Sequence, residues 1–330
     1  MALLKGLYEA RMQRALEQYG STTYSSPSLR AANLGALHLA ELPGLGLGST
    51  TWDGAKVLAD ALPGLLRDEA HADPRDTRRG VLELGAGTGL VGIAAALLIA
   101  PPPPAPRVLL TDKEGELAAL RRTVALNRPQ LQQLRPACAC EVRALSWGDD
   151  AAVAAAVDWL GKAGEGEGGG DEAEEDTGGL LVLGADVVYR DDLVAPLVAT
   201  LSALLPRPTG GGDDGDGDDD QGSRGRSSSS TGRFLMAYRE RGAGEAFFAA
   251  MDDAGFEGTL LLSNSTDAEP QTCGGAVADS SVAWTMENVR EEAKKAASEP
   301  RHFYSAQRHS VLQFRRRRPD APVVSGHLLG

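Results

Sequence analysis

The chain has 330 residues, of which 42% are hydrophobic, so it can bury a substantial core and does not have the composition of a disordered protein. Much of its formal net charge of −13 lies in two low-complexity stretches: residues 161–178 hold seven acidic residues and one lysine, and residues 206–232 hold six acidic residues and three arginines. Because such stretches are typical of solvated loops, the acidic balance gives no reason to expect a basic partner.

Several other classes of protein are disfavoured. The three cysteines include no C-x-x-C pair, so we expect neither a disulfide framework nor a structural zinc site. No apolar run reaches the roughly 18 residues of a membrane-spanning helix, and the N-terminus lacks a secretory signal pattern. Residues 1–19 favour an amphipathic helix, in which Glu9 and Glu17 argue against an organellar transit peptide. We expect a cytoplasmic protein, and the four arginines at 315–318 leave a nuclear address open.

From residue 51 onward, segments with helix and strand patterns alternate. Helices are predicted at 51–66, 91–99, 114–126, 151–160, 193–205 and 245–254. Strands are predicted at 81–84, 108–111, 141–145, 180–183, 234–238, 259–262 and 311–314. Because helices separate the earlier strands, the fold class is predicted to be α/β, a doubly wound, mostly parallel seven-stranded sheet with the last strand antiparallel.

The predicted organisation is one domain with insertions. We expect an N-terminal extension at 1–45, the domain at 46–320 and a tail at 321–330. Within the domain, low-complexity insertions are predicted at 161–178 and 206–232, and a long insertion without a recognisable pattern at about 263–309.

The most specific signal follows the first of the seven strands, where residues 81–90 read VLELGAGTGL. Gly85, Gly87 and Gly89 let the backbone take unusual dihedrals close to a ligand, and the next helix points N–H groups at that ligand. A dinucleotide fingerprint needs its third glycine where this chain has Leu90. The turn therefore predicts a nucleotide site and disfavours NAD.

Two acidic residues narrow the choice of nucleotide. Glu83 lies in the strand before the glycines, where a negative charge suits the cationic cofactor S-adenosylmethionine better than a pyrophosphate. Asp112 ends the second strand, where a carboxylate can accept hydrogen bonds from ribose hydroxyls. The alternative is that both are ordinary charges beside a Gly-rich turn.

Further candidates follow the third and fourth strands. Trp147 either covers a flat ligand or fills the core. The glycine turn, Asp112, Trp147 and Asp186 all follow carboxyl ends of parallel strands, which meet at one edge of such a sheet. Residues 239–241, Arg-Glu-Arg, follow the fifth strand at the same edge, and by topology alone they are candidates to contact a protein substrate.

The motifs Thr51-Trp52-Asp53, residues 81–92, Thr111-Asp112, Trp147-Gly148 and the D-x-x-Y at 186–189 resemble the seven-β-strand protein methyltransferases of the lysine methyltransferase 21-like group, or methyltransferase family 16. The resemblance covers residues 45–265 and a last strand near 311. Nucleic-acid amino methyltransferases usually carry N-P-P-Y or D-P-P-Y after the fourth strand, and this chain has no such prolines. The resemblance implies a Rossmann-like methyltransferase sheet and transfer of methyl groups from S-adenosyl-L-methionine to a protein lysine.

The resemblance also implies roles for single residues. The implied cofactor-binding residues are Trp52, Glu83, Gly85, Ala86, Gly87, Gly89, Asp112, Trp147 and Ala185; Asp112 would bind the ribose and Trp147 the adenine. Asp186 would hold the incoming amine, and Tyr189 would face the developing cation. The alternatives are a helix cap for Asp186 and a packing role for Tyr189. No metal is expected, because methyl transfer mainly requires alignment of the amine.

The implied partner is a protein that offers a lysine, of the chaperone or translation-factor type. The chain is expected to be a monomer that binds neither nucleic acid nor membrane. A protein histidine, an N-terminal amine or a small molecule remains an alternative acceptor. A non-catalytic methyltransferase-like binding module remains an alternative of another class.

Overall fold

The computed structural model describes residues 14, 21–42, 46–72, 80–99, 107–161, 179–207, 232–263, 286, 290–291 and 309–317. The helix predicted within 1–19, nearly all of the two acidic insertions, most of the segment 263–309 and the tail lie outside the described residues, apart from isolated positions.

Helices and strands alternate through the described residues. The strands are β1 (Thr22–Tyr24), β2 (Leu37–Leu39), β3 (Gly80–Leu84), β4 (Arg107–Asp112), β5 (Ala139–Ala144), β6 (Leu180–Ala185), β7 (Arg233–Tyr238), β8 (Phe256–Ser263) and β9 (Ser310–Arg316). The α-helices are α1 (Pro27–Ala31), α2 (Asp53–Ala72), α3 (Leu90–Leu98), α4 (Leu117–Leu134), α5 (Asp150–Gly161), α6 (Val194–Leu204) and α7 (Gly244–Asp253). Short 3-10 turns occupy Leu47–Ser49, Glu114–Glu116 and Asp191–Leu193.

Strands β3 to β9 form a seven-stranded sheet in the order β5-β4-β3-β6-β7-β9-β8. The pairs among β3 to β7 are parallel, whereas β9 runs antiparallel to both β7 and β8. All seven predicted strands are present, and the predicted fold class is confirmed. The order reverses between β3 and β6, which is where such sheets bind ligands beyond their carboxyl ends.

Both faces of the sheet are covered by helices. Val81 and Leu110 pack on one face with residues of α2, α3 and α4, and Leu82 and Leu109 pack on the other with residues of α5, α6 and α7. Because side chains alternate across a strand, burial on both faces requires a nearly continuous apolar run. This explains why the short apolar segments predicted the strands correctly.

Part of the N-terminal extension belongs to the same packed body. Strands β1 and β2 pair antiparallel, and Leu29 and Leu37 are fully buried in the core that contains α2 and α4. The backbone of His38 forms hydrogen bonds with the side-chain amide of Asn127, at 3.0 Å and 2.6 Å. The domain boundary near residue 45 stays a prediction, but residues 22–42 contribute to the core.

Two residues of the arginine run at 315–318, Arg315 and Arg316, belong to strand β9. Arg316 is buried, and its guanidinium donates hydrogen bonds to the carbonyls of Leu205, Ser202 and Ala254. These carbonyls lie near the C-terminal ends of α6 and α7, which lack intrahelical donors and attract positive charge. Arg316 therefore joins two helix ends to the sheet.

Within the described ranges, none of the helices combines the length and the apolar character needed to cross a membrane.

Candidate active site

A cavity of about 350 Å³ lies at the carboxyl ends of β3, β4, β5 and β6, a size usual for small-molecule sites. Eight of the eleven predicted site residues line it: Trp52, Gly85, Gly87, Asp112, Trp147, Ala185, Asp186 and Tyr189. The structure therefore brings the glycine turn together with the D-x-x-Y segment, although they are about one hundred residues apart in the chain.

The glycine turn has the backbone that its sequence predicts. Gly85, Gly87 and Gly89 have φ angles of +59°, +53° and +82°, which side-chain-bearing residues rarely adopt. A Cβ atom on Gly85 would lie 3.2 Å from the Trp147 ring, so the absence of a side chain also brings that ring against the turn.

Asp112 is fixed at the end of β4 by two backbone amides. The amide of Gly87 donates to its Oδ2 at 2.9 Å, and the amide of Lys113 donates to its Oδ1 at 2.8 Å. Burial raises the pKa of Asp112 above its ordinary value, although these two hydrogen bonds oppose the shift. Each oxygen keeps a further lone pair, so the carboxylate can still accept hydrogen bonds from ligand hydroxyls.

Three predicted residues do not line the cavity: Glu83 lies behind the turn, and Ala86 and Gly89 belong to the turn itself. Glu83 is buried, and its Oε2 accepts a hydrogen bond from the Gly92 amide in the first turn of α3 at 2.8 Å. Burial raises the pKa of Glu83 to about 8. Ala86 and Gly89 are also buried, and a Cβ on Gly89 would lie 2.6 Å from the side chain of Leu120. The structure thus gives Glu83 and Gly89 packing contacts; direct cofactor contacts for all three stay predictions.

The cavity lining contains a third carboxyl group besides those of Asp112 and Asp186: Glu116, which sequence reasoning missed. Its residue is 7% exposed, and its Oε2 atom has no hydrogen-bond partner among the described residues. Its Oε1 atom lies 3.5 Å from the Lys113 ammonium. The carboxylate packs against Gly46 and Gly48, because a Cβ on either glycine would lie 2.8 Å from Oε2. The available signal in the sequence for this residue was a glutamate at the start of a helix, four residues after Asp112, the predicted ribose-binding residue.

Two tryptophans contribute to the lining. Trp147 follows β5 and is half-buried against Gly85 and the core. Trp52 directly precedes α2, is 39% exposed, and donates from Nε1 to the Leu47 carbonyl at 2.9 Å. Their contacts with the adenine and the rest of the cofactor stay predictions.

Asp186 follows β6 with a φ angle of +55° and a side chain that is only 4% exposed. Its Oδ2 accepts a hydrogen bond from the Gly54 amide at 3.1 Å, and its Oδ1 forms an ion pair with Arg241 at 3.0 Å. His309 Nε2 lies 3.3 Å from both carboxylate oxygens. Burial raises the pKa of Asp186, but His309, Arg241 and the Gly54 amide outweigh it, so the net pKa lies below its ordinary value.

Two of these partners were weakly signalled by the sequence. Arg241 belongs to the loop after β7, where a substrate contact had been suggested from topology alone. His309 lies in a segment without a recognisable pattern, but it directly precedes β9, and Ser310 pairs with Tyr238 at the carboxyl end of β7. An antiparallel strand begins at the edge where its parallel neighbours end, so this position was predictable in principle.

Tyr189 is half-buried and lines the same cavity three residues after Asp186. The site therefore combines two carboxylates that can accept hydrogen bonds from hydroxyl groups, Asp112 and Glu116, with the aromatic face of Trp147. The buried carboxylate of Asp186 lines the same cavity as Tyr189. Such a set can hold a nucleoside group and a cationic or amine group in one cavity.

Comparisons with known proteins agree with this geometry. The sequence model of the family described as "Lysine methyltransferase" matches residues 33–159. Protein N-lysine methyltransferase METTL21A of Danio rerio is 35% identical over 160 residues, which cover 48% of this chain and 56% of that protein. METTL21A of Mus musculus is 33% identical over 160 residues, with 48% and 56% covered. EEF1A lysine methyltransferase 3 of Xenopus tropicalis is 30% identical over 195 residues, which cover 58% of this chain and 69% of that protein.

The chain spans about half the length of the METTL21A proteins that it matches. It spans more than two thirds of the Xenopus EEF1A lysine methyltransferase 3. The family match includes the glycine turn, Asp112 and Trp147. On this similarity and on its seven-stranded sheet, this chain belongs to the lysine methyltransferase family.

Proposed function

We propose that this chain transfers methyl groups from S-adenosyl-L-methionine to a lysine side chain of a protein substrate. The observation that carries the proposal is a single cavity lined both by the glycine turn with Asp112 and by Asp186 with Tyr189. One group of residues suits an adenosyl cofactor and the other suits an amine.

The residues present fit the cofactor. Asp112 has unused lone pairs, and Glu116 has a buried oxygen without a partner among the described residues; both suit ribose or amino donors. Gly85 and Gly87 allow the backbone to approach a ligand closely, and Trp147 offers a flat apolar face. When bound, S-adenosylmethionine supplies an electrophilic methyl group on a positively charged sulfur.

On the acceptor side, the chain has to align an amine and leave its lone pair free. Asp186 is a carboxylate at neutral pH, because its pKa lies below the ordinary value, and a carboxylate accepts hydrogen bonds without donating them. It can therefore hold an amine by its protons. The Tyr189 ring can face the positive charge that develops on the nitrogen during methyl transfer, an interaction of about 1 kcal/mol when water is excluded.

The names of the relatives support a protein as the substrate. Because the Xenopus tropicalis relative is named for a lysine of EEF1A, we propose EEF1A as the first purified acceptor to test. A protein histidine, an N-terminal amine and a small molecule are the competing acceptors. They are distinguished by where the methyl group is found.

The test is incubation of the full chain with radiolabelled S-adenosylmethionine and a cell extract, with purified EEF1A in parallel. We expect discrete labelled protein bands that disappear with Asp186→Ala and persist with Asp191→Ala, which removes an exposed carboxylate nearby. Mass spectrometry of the labelled band should locate the methyl group on lysine. Labelling that persists in Asp186→Ala would contradict the catalytic role, and a methyl group on another residue type would contradict the acceptor.

Cofactor choice is tested separately by thermal shift. S-adenosylhomocysteine should stabilise the folded protein, because a ligand that binds only the native state raises its unfolding temperature. Stabilisation by NAD and not by S-adenosylhomocysteine would overturn the interpretation of the glycine turn and support a different enzyme class. Stabilisation by S-adenosylhomocysteine without any labelled band would favour a non-catalytic binding module.

We also propose that the protein is a monomer located in the cytoplasm and also in the nucleus. We propose that it binds neither nucleic acid nor membrane. The buried Arg316 leaves less of the arginine run available as a nuclear address. Fractionation of cells that express a tagged chain tests the location, and light scattering of the purified protein tests the monomeric state.

A further inference from the structure

The hydrogen-bonding capacity of Asp186 is largely used within the protein. A carboxylate offers about four lone-pair positions. The Gly54 amide lies 3.1 Å from Oδ2, Arg241 lies 3.0 Å from Oδ1, and His309 Nε2 lies 3.3 Å from both oxygens. An incoming amine therefore needs one of these groups to leave before Asp186 can hold it.

The three partners differ in how firmly they are held. The Gly54 amide belongs to the first turn of α2, so its position is fixed by the helix. The His309 side chain is 1% exposed and enclosed by packing. Arg241, in contrast, lies in the loop between β7 and α7, is 22% exposed, and lines the cavity. Arg241 is therefore the partner that can leave.

Arg241 contacts an aromatic ring as well as the Asp186 carboxylate. Its guanidinium lies 5.6 Å from the centroid of the Trp52 ring while it pairs with Asp186. Its Nε atom is buried without a hydrogen-bond partner among the described residues. A lysine ammonium is also a cation on a flexible stem, and aromatic faces stabilise both groups.

The charge of the buried Asp186 carboxylate favours replacement of Arg241 by another cation over departure of Arg241 alone. Removing Arg241 alone would leave a buried carboxylate with less compensation, which is costly. Replacing the guanidinium by a substrate ammonium keeps Asp186 paired until the ammonium releases a proton to water and becomes the amine that accepts the methyl group. A neutral side chain of the same shape cannot make this exchange.

Resting on the proposed function, we infer that Arg241 is a placeholder for the acceptor lysine: it occupies Asp186 in the free enzyme and is displaced by the substrate ammonium. Arg241 is thus a specificity-determining residue. It lowers the affinity for single lysines that lack further contacts with the protein.

The experiment measures binding of Nα-acetyl-lysine methylamide to the full chain saturated with S-adenosylhomocysteine, by titration calorimetry. The norleucine counterpart serves as the uncharged probe. With Arg241→Ala or Arg241→Gln, we expect the affinity for the lysine probe to rise by about tenfold and that for the norleucine probe to stay unchanged. Adding Asp186→Asn should remove the gain, and Arg122→Ala, which removes an exposed arginine of α4 outside the cavity lining, should behave as wild type.

A second measurement uses the wild-type protein. Nuclear magnetic resonance of the Arg241 guanidinium should show a shift when the lysine probe binds and no shift with the norleucine probe. The inference is wrong if both Arg241 variants bind the lysine probe no better than wild type, if the norleucine probe gains equally, or if the Arg241 signal stays unchanged on lysine binding.

The placeholder role of Arg241 and the methyltransferase function can be disproved separately. If S-adenosylhomocysteine stabilises the wild type and extract bands are labelled, but lysine binding does not depend on Arg241, the placeholder alone is wrong. If neither stabilisation nor labelling occurs, the methyltransferase function is wrong, and the placeholder falls with it.

Discussion

The carboxylate of Asp186 caps helix α2, because its Oδ2 accepts a hydrogen bond at 3.1 Å from the backbone amide of Gly54, 132 residues earlier in the chain. The first amides of a helix have no intrahelical partner and attract negative charge. This contact fixes Asp186 and, through the start of α2, the position of Trp52. Asp186 therefore does cap a helix, as the alternative interpretation of this residue proposed. The capped helix is α2, however, and not the helix that follows Asp186.

Gly54→Ala tests this contact. A Cβ at residue 54 would lie 2.6 Å from Asp186 Oδ2 and 3.2 Å from the His309 ring, so the carboxylate has to move. We expect methyl transfer to fall by about tenfold or more, since each 1.36 kcal/mol of lost alignment costs a factor of ten. Stabilisation by S-adenosylhomocysteine should be retained.

The matched control is Gly64→Ala in the same helix. A Cβ there meets no atom within 4 Å, and alanine is the better helix former. This variant should transfer methyl groups as wild type does and be more stable by roughly 0.5–1 kcal/mol. Equal activity of both variants would show that the Gly54–Asp186 contact does not position the carboxylate.

His309 is expected to act as a positioning residue for Asp186. Its hydrogen bond and charge lower the pKa of Asp186, so His309→Ala should raise that pKa. Because an ionised Asp186 holds the amine, the acid side of the activity profile should move to higher pH. Activity at neutral pH should fall by about tenfold, the loss expected for a hydrogen bond to a charged group.

The pH profile separates positioning from a purely structural role. His309→Gln keeps a donor and should retain more activity than His309→Ala. A uniform loss of activity at every pH, with no difference between the two variants, would contradict the positioning role.

Glu116→Gln should change two properties in opposite directions. Removing a buried charge that lacks a partner for Oε2 should raise the unfolding temperature of the free protein. Losing an acceptor for the cofactor should weaken S-adenosylhomocysteine binding by roughly 1.5–3 kcal/mol, as for a hydrogen bond to a charged group. Thermal unfolding without and with the ligand measures both effects.

Glu114→Gln is the control, because that side chain is exposed two residues away. It should change neither quantity. A Glu116 variant with lower intrinsic stability and unchanged ligand binding would show that Glu116 serves the fold and not the cofactor.

Glu83 predicts a pH dependence of stability. Its pKa is raised by burial from 4.5 to about 8 in the folded protein, so its contribution to stability is fully present below pH 4.5 and is lost as the pH rises through about 8. The loss amounts to at most about 1.4 kcal/mol per pH unit over that range. Glu83→Gln stays neutral and escapes this loss.

Denaturant unfolding measured from about pH 5 to about pH 9 checks this prediction, because the pKa shift is linked to the free energy of unfolding. The free energy of unfolding of Glu83→Gln relative to wild type should grow with pH and level off above about 8. Glu141→Gln, which removes a carboxyl group at an exposed position of β5, is the control. A flat difference for Glu83→Gln would mean that Glu83 is ionised in the folded protein at every pH tested.

The sequence predicted the sheet well, because the strands of a parallel sheet are buried on both faces and appear as short apolar runs. Helix ends were less accurate. Helix α4 was expected to end at residue 126, but it continues through Pro129 to Leu134. A proline removes one hydrogen bond from a helix, and here that position is exposed, so packing of the rest of the helix outweighs the loss.

Local chemistry also determined one part of the site. The positive φ angles of the glycine turn and the placement of Asp112 at a strand end follow from residues within a few positions of each other. Carboxyl ends of parallel strands meet at one edge, so the convergence of Asp112, Trp147 and Asp186 followed from the strand order alone.

Only the tertiary structure decided what each carboxylate touches. Glu83 lies behind the turn and accepts a hydrogen bond from the Gly92 amide, whereas Glu116 lines the cavity. Asp186 meets Arg241 and His309 because β7 lies beside β6 and ends at the same edge of the sheet, where β9 begins next to β7, and no local pattern encodes that approach. Apolar periodicity fixes which segments are buried, but polar contacts depend on side chains brought together from distant parts of the chain.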